Sequence, residues 1–239
     1  MSEQRVHFED IGEIHFVKTT RARNLRITIN RSNGVKVTYP KSVSLNHAFR
    51  FVEQKKDWIK KSIQKFKLST PEKTLFQPES NFSTRYHNIE FTYNPAIPLK
   101  IKVSKGLIAV SYPSNEILLS ETGQRLICKG VEFAIRKEAK HYLPLRVEIL
   151  AKRFGFSFKE IRVKNLKSRW GSCSSQNNIN LNIHLMRLPE HLSDYVILHE
   201  LAHTIQKNHG KLFWQLLDKL SGDAKKLAKE MKEYQTQIY

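Results

Sequence analysis

DYVILHELAHTIQKNHG, Asp194 to Gly210, places two histidines four residues apart and a third six residues further on. On a helix, residues i and i+4 lie on one face about a turn apart, so His199 and His203 can reach one metal ion. Glu200, one step round the helix, would stand beside the open coordination position, where a carboxylate can take a proton from water. This is the arrangement of a hydrolase site. A shuffled chain of the same composition would contain HExxH roughly 3% of the time, so the surrounding sequence has to carry the reading.

Pro189 suits a first helical position, and Tyr195, Val196, Leu198, Leu201, Ala202 and Ile205 supply apolar positions around a helix expected from Pro189 to Lys207. A helix this apolar is buried, and a charged Glu200 serves no purpose there as a core residue. In an unbroken helix His209 would point about 240° away from His203, so the chain must leave the helix before reaching it. Asn208 and Gly210 tolerate the left-handed conformation that ends helices, and Lys207 suits a last turn. His209 is the preferred third ligand, with Glu230 or Glu233 as the fallback. The spacing equals that of HExxHxxGxxH, but Gln206 stands at the glycine position, so the metzincin pattern does not apply and the break is expected later.

Upstream lies IRVKNLKSRWGSCSSQNNINLNIHLMRLP, Ile161 to Pro189. Ile161 and Val163 begin a strand, RWGSCS reads as a rigid polar turn, and SQNN as a hairpin turn. Ile179, Leu181 and Ile183 bury one face while Asn178, Asn180, Asn182 and His184 line the other. Such a polar-faced strand beside the cleft is a place for an extended peptide to pair. Asn180, Asn182 and Tyr195 are candidate substrate or oxyanion contacts. Cys173 reads as a small packed residue, because no uncommitted histidine stands beside it to make a nucleophile; Cys128 falls on an apolar helical pattern.

The rest of the chain supplies the frame. Residues 13–39 alternate as strands (Ile14, Phe16; Leu25, Ile27, Ile29; Val35, Val37, Tyr39 after Asn33 and Gly34), giving a small antiparallel sheet. Ser44 is a helix N-cap for a stripe of Ala48, Phe51, Val52, Trp58, Ile59, Ile63 and Phe66. LKIKVSKGLIAVSYPS repeats the logic of LRITINRSNGVKVTYPKS, and predicts a second sheet from Tyr86 to Tyr112 resembling the first. A helix capped near Ser120 is expected to kink or stop at Pro144, a second to run from Leu145 to Phe154, and two more to follow His209, with Phe213 and Trp214 packing its loop.

The chain has 239 residues, a formal net charge of +19 and two cysteines. That is long enough for a sizeable core, and two cysteines give no disulfide framework, which suits a reducing compartment. Neither a signal-type apolar core nor a membrane-length run is present, so a cytoplasmic protein without membrane attachment is expected. The charge predicts attraction to nucleic acid or other polyanions. The basic residues are spread over RARNLR, KKDWIKK, KEAK, KRF and KNLKSR without a nucleic-acid motif among them.

RWGSCS, INLN, LP, DYVILHELAH, NH and FW, in this order and spacing, together with RARNLRITI, VTYP and DWIKK, resemble the YgjP-like metallopeptidase family, and more distantly the SprT-like and WLM metalloproteases. The resemblance implies an α+β fold: a zincin-like metallopeptidase core of helices plus an antiparallel sheet, preceded by a small β-rich N-terminal unit. It also implies zinc on His199, His203 and His209, with Glu200 as the catalytic acid/base. The expected organisation is an N-terminal unit at 1–66, a linker at 67–81 and a zinc metallopeptidase domain at 82–239. Peptide or protein is the expected substrate. The alternatives are a nucleic-acid- or ribosome-associated protein in which the metal site is secondary, and a metal hydrolase of a small amide or phosphoester.

Overall fold

Alternating apolar residues set the faces of every sheet in the protein, but not the direction of its strands. The computed structural model describes residues 2–30, 34–68 and 74–236, which divide between two compact units, Met1–Pro71 and Glu72–Tyr239. The first contains β1 (Ser2–Phe8), β2 (Gly12–Thr19), β3 (Arg26–Asn30) and β4 (Gly34–Pro40), in spatial order β1-β2-β4-β3. Ile14, Phe16, Val35, Val37 and Tyr39 share its buried face with Ala48 and Val52 of α1 (Leu45–Gln54) and Ile59 of α2 (Lys56–Leu68). Ser44 caps α1 by accepting the His47 N–H at 3.3 Å.

Three details differ from expectation. The sheet is mixed, because β2 and β4 run parallel; alternation carries no information on strand direction. β1, with only Val6 and Phe8 as large apolar residues, is an added edge strand. The single helix after Ser44 is two helices meeting at Lys55, with Trp58 of α2 exposed rather than on the buried stripe. Asn33 and the side chain of Phe66 lie outside the described residues.

The second unit begins with β5 (Asn88–Tyr93), β6 (Lys100–Ser104) and β7 (Leu107–Tyr112), in order β5-β7-β6. β5 is parallel to β7 and β6 antiparallel to it, the same pattern as β2, β4 and β3. Ser114 then caps α3 (Asn115–Leu119) as Ser44 caps α1. The repeat anticipated from the sequence is therefore topological as well as local. Residues 74–81, expected as the end of the linker, are held in place: Phe76 is fully buried, and its N–H and C=O bond the Gln124 amide at 2.9 and 2.8 Å.

α4 (Glu121–Phe154) is one 34-residue helix with Pro144 inside it, not two. An internal proline costs about 3 kcal/mol, but Leu143, Val147 and Leu150 on either side are buried in the core, each contributing roughly 1.5–3 kcal/mol. Gly155, with φ 72, ends the helix in the left-handed conformation that favours glycine. α4 backs the remaining elements: β8 (Glu160–Lys164), β9 (Gly171–Cys173), β10 (Asn178–Asn182), a 3-10 turn at Ile183–Arg187, α5 (Glu190–Ala202), α6 (Lys211–Ser221) and α7 (Ala224–Glu230). A further 3-10 turn, Met231–Glu233, follows α7. Arg146 of α4 donates to Asp194 of α5 at 2.7 Å, tying the two helices together.

β8, β10 and β9 repeat the pattern a third time, β8 parallel and β9 antiparallel to the central β10. RWGSCS is thus partly an edge strand rather than a turn. Asn182 and His184, expected on the polar strand face beside the cleft, are buried. The Asn182 amide donates to the carbonyls of Leu166 (2.7 Å) and Arg169 (2.9 Å), and its oxygen accepts the His184 N–H at 3.2 Å. The class is α+β, with mixed sheets. No helix among the described residues is long and apolar enough to cross a membrane. Asn182→Ala takes this partner from the Leu166 and Arg169 carbonyls and from the Leu166 and His184 N–H groups, and is expected to cost about 2–4 kcal/mol, read as a lower midpoint in urea denaturation.

Candidate metal centre

His199 and Glu200 stand in the last turn of α5, whose faces are buried by Leu192, Val196, Ile197, Leu201 and Ala202. The helix ends at Ala202, earlier than expected, and His203 is its C-cap. The ending uses no left-handed residue: Gly210 has φ −76, and Asn208 is not among the positive-φ residues. Instead the Thr204 hydroxyl takes the Leu201 carbonyl at 2.7 Å, and the N–H groups of Ile205 and Gln206 both turn back to Ala202 (3.1 and 2.9 Å). A threonine hydroxyl competing for a helix carbonyl is a known local route out of the helix. The His203 ring closes the turn, Nδ1 donating to the Gln206 carbonyl at 2.9 Å.

His209 follows and precedes the first residue of α6 by two. Its Nε2 lies 3.0 Å from that of His199 and 3.1 Å from that of His203. One ligand atom from each histidine falls within 4.8 Å of the others, forming the only such group of His, Cys, Asp or Glu among the described residues. With the His203 proton held at Nδ1 by Gln206, its Nε2 lone pair faces inward. Two ring lone pairs brought this close repel unless a cation or proton lies between them, so the donor set fits a metal ion. Glu230, the fallback ligand, is engaged elsewhere by His191 Nε2 at 2.7 Å.

Fully buried Phe213 of α6 forms the floor, its ring centroid 4.9, 4.5 and 4.7 Å from those of His199, His203 and His209. Trp214 lies 6.2 Å from His209, so both aromatics pack the loop as expected. Lys207, expected in the last turn of the helix, has a role the sequence did not reveal: its ammonium bonds the Ser174 carbonyl and the Asn177 amide oxygen. It ties the loop before His209 to the β9–β10 hairpin, where Asn177 takes φ 60.

Sequence reasoning missed Gly171. A Cβ there would lie 2.7 Å from Glu200 Cγ and Oε1, so β9 can approach α5 this closely only with a bare backbone. A glycine inside a strand is the sequence signal for such an approach. Glu200 is only 6% exposed. Burial pushes its carboxyl up to about 8, against a smaller opposing effect of the Arg169 charge. Burial, with His203 and His209 adding repulsion, pushes His199 down to about 4. His203 is also lowered by burial, partly offset by its bond to Gln206. Both rings are neutral at pH 7, as ligation requires.

Register separates the polar candidates from this site. Gly171, Cys173, Ile179 and Leu181 share the sheet face turned to Glu200, whereas Ser172 and Asn180 pair on the opposite face, the Asn180 amide donating to Ser172 Oγ at 3.3 Å. Asn180 and Asn182 therefore point away from Glu200, and Asn182 is committed to the 166–169 loop. β10 is paired on both sides, so the sheet's edges are β8 and β9, and β9 is the edge that stands against Glu200. Tyr195, buried, packs edge-on to His199 at 6.1 Å and lines a cleft of about 240 Å³ with Leu150, Asp194 and Leu198. Burial pushes its phenol up. The Cys173 thiol is also raised by burial, which disfavours the thiolate a nucleophile needs.

Three imidazole nitrogens and a buried carboxylate on neighbouring helical positions make a metal-dependent hydrolytic centre chemically coherent. The chain belongs to the YgjP-like metallopeptidase family: the profile of the YgjP-like metallopeptidase domain matches residues 23–234. It is therefore a metallopeptidase, an enzyme with a metal cofactor that acts on peptide or protein substrates. Among solved structures, the metallopeptidase zymogen of Pyrococcus abyssi abylysin is similar at 24% identity and a TM-score of 0.34, over 39% of this chain and 96% of that one. The metallopeptidase zymogen of Methanocaldococcus jannaschii jannalysin is similar at 24% identity and a TM-score of 0.33, over 37% of this chain and 91% of that one. No curated protein matches.

The buried carboxyl has a measurable consequence in metal-stripped protein. Below about pH 4.5 Glu200 is protonated in the folded and unfolded states alike and costs nothing; between pH 4.5 and about 8 the unfolded chain ionises it while the folded state holds it protonated, so stability falls across that window and levels off above it. Glu200→Gln removes that cost. The variant is expected to exceed the parent by a few kcal/mol at pH 9 and to match it near pH 4, as measured by urea denaturation.

Proposed function

We propose that the chain is a zinc metallopeptidase in which His199, His203 and His209 hold the ion and Glu200 carries the proton. The convergence of three ring nitrogens on one point supports this reading above all else. Zinc held there supplies an acidified water and a polarised scissile carbonyl. Glu200 accepts the proton from the attacking water and passes it to the leaving amine, a transfer suited to a carboxylate whose burial brings it near neutral pH.

The free edge of β9 can hold the substrate. The Trp170 carbonyl and the Ser174 N–H bond β10 at 2.8 and 2.9 Å, which assigns the even-numbered positions to the pairing with β10. The N–H and C=O groups of Gly171 and Cys173 then face away from the sheet. An extended peptide pairing with them lies beside Glu200, which stands against Gly171. Metal analysis of purified protein is expected to find about one zinc per chain. Glu200→Gln should keep the zinc and lose at least about a hundredfold in turnover of an unstructured protein substrate. Undiminished zinc in a His199→Ala, His203→Ala double variant would refute the assignment.

A second reading adds to this one. In the N-terminal unit, Arg21, Arg23, Arg26 and Lys36 line one groove with Thr19, Asn24, Thr28 and Thr38, and no carboxylate lines it. Its chemistry suits the phosphate backbone of a nucleic acid. Filter binding to single-stranded and duplex nucleic acid should show affinity that falls steeply from about 50 to 200 mM salt and drops in Arg23→Ala, Arg26→Ala. No retention at low salt would remove the reading.

A further inference from the structure

A second group of titratable side chains lies outside the metal centre, where the start of β5, the β6–β7 turn and the middle of α4 meet. Tyr86, His87, Lys105, Gly106, Lys137, Glu138 and His141 line a cavity of about 720 Å³. Its wall contains a buried pair, His87 at 8% exposure and Glu138 at 4%. His87 Nδ1 and the Thr84 hydroxyl both donate to Glu138 Oε1. Glu138 Oε2 is sealed from solvent, with no donor to it among the described residues. The carboxylate thus fixes the imidazole, with the Nδ1 proton turned inward. Nε2 is not among the sealed unpartnered atoms, and it is the ring nitrogen His87 has left to offer the cavity.

An oriented imidazole of this kind is more than joining the segment before β5 to α4 requires, since burying the ionisable pair is costly where apolar residues would serve. Apart from the Tyr86 phenol, the remaining polar side chains of the wall are cationic or basic. Lys105 comes from the β6–β7 turn, and Lys137 and His141 flank Glu138 on α4; all three are exposed. The one carboxylate of the wall is already engaged by His87. The cavity therefore presents an ammonium pair and a ring nitrogen to whatever enters.

We propose that this cavity binds the phosphate group of a small phosphate monoester, with Lys105 and Lys137 on its oxygens and His87 Nε2 sharing its proton. A phosphate monoester has a second ionisation near pH 6 and three acceptor oxygens. It brings a proton that can lie on either side of the Nε2–oxygen bond, and enough charge for two ammonium groups. A carboxylate brings neither at neutral pH. The cavity is far larger than a phosphate, leaving room beside the Tyr86 ring for the organic part of the ester.

Calorimetric titration of the metal-loaded protein with phenyl phosphate, inorganic phosphate and acetate tests the site. Phenyl phosphate is expected to bind with a Kd of about 1 mM or tighter, and acetate far more weakly. Lys105→Ala, Lys137→Ala, both at exposed positions, should weaken phenyl phosphate about tenfold or more. Lys225→Ala, Lys229→Ala on α7 should leave it unchanged, which separates a defined site from the general attraction of a basic chain. The Nε2 resonance of His87, followed by nitrogen NMR, should move with saturation. Equal binding of acetate, equal loss in both lysine pairs, or a His87 ring unmoved at saturation would overturn the proposal. Inorganic phosphate binding as tightly as the phenyl ester would overturn the part assigned to the organic group.

Discussion

The hydrogen bond from the His203 ring to the Gln206 carbonyl, together with the Thr204 hydroxyl on Leu201, ends α5 at its second histidine. Had the helix run on, His209 would have faced away. Because the turn is made by side chains of the motif itself, the histidine that ends the helix is also oriented by ending it. Phe213 then sets the far side of the cluster, and Lys207 anchors the intervening loop to the β9–β10 hairpin. The geometry of the three rings thus depends on a few bonds within one short segment and on one aromatic plate beneath it.

The chain uses one strand device three times, once in the first unit and twice in the second. In each case the first and third strands run parallel, the second pairs antiparallel with the third, and the third is central. In the last copy the edge strand comes close enough to α5 for Gly171 to touch Glu200. That contact shields the carboxylate from water, and the shielding moves its proton affinity into a range useful near neutrality. The missing side chain at Gly171 and the chemistry available to Glu200 are one structural fact seen from two sides.

The pairing of His199 and His203 on one face was legible in the sequence because i,i+4 spacing is a property of the helix alone. His209 was legible as a candidate, but the reason it reaches the others was not. The expected break relied on Asn208 and Gly210, whereas the actual one relies on a threonine hydroxyl and an imidazole, whose competition with backbone bonds leaves no compositional mark. Strand direction was illegible for a similar reason: Ile14, Phe16, Val35 and Val37 define faces, and parallel and antiparallel neighbours satisfy the same faces. Pro144 misled because its local cost is visible in sequence, while the burial of Leu143, Val147 and Leu150 is decided by distant partners. Asn180 and Asn182 were placed near the chemistry by proximity in the chain, and removed from it by the alternation of the strand they occupy.

The threefold strand pattern also bears on how the protein is assembled. Each set of strands closes within one short stretch of chain, from β2 to β4, β5 to β7 and β8 to β10, so each can pair without waiting for distant segments. Contacts of short sequence separation are reached quickly during folding. The histidine cluster differs: its loop is fastened to a hairpin some thirty residues earlier through Lys207 and floored by a helix that follows it. The sheets are therefore assembled from local contacts, whereas the cluster exists only where the last strand set, α5 and α6 are docked on one another.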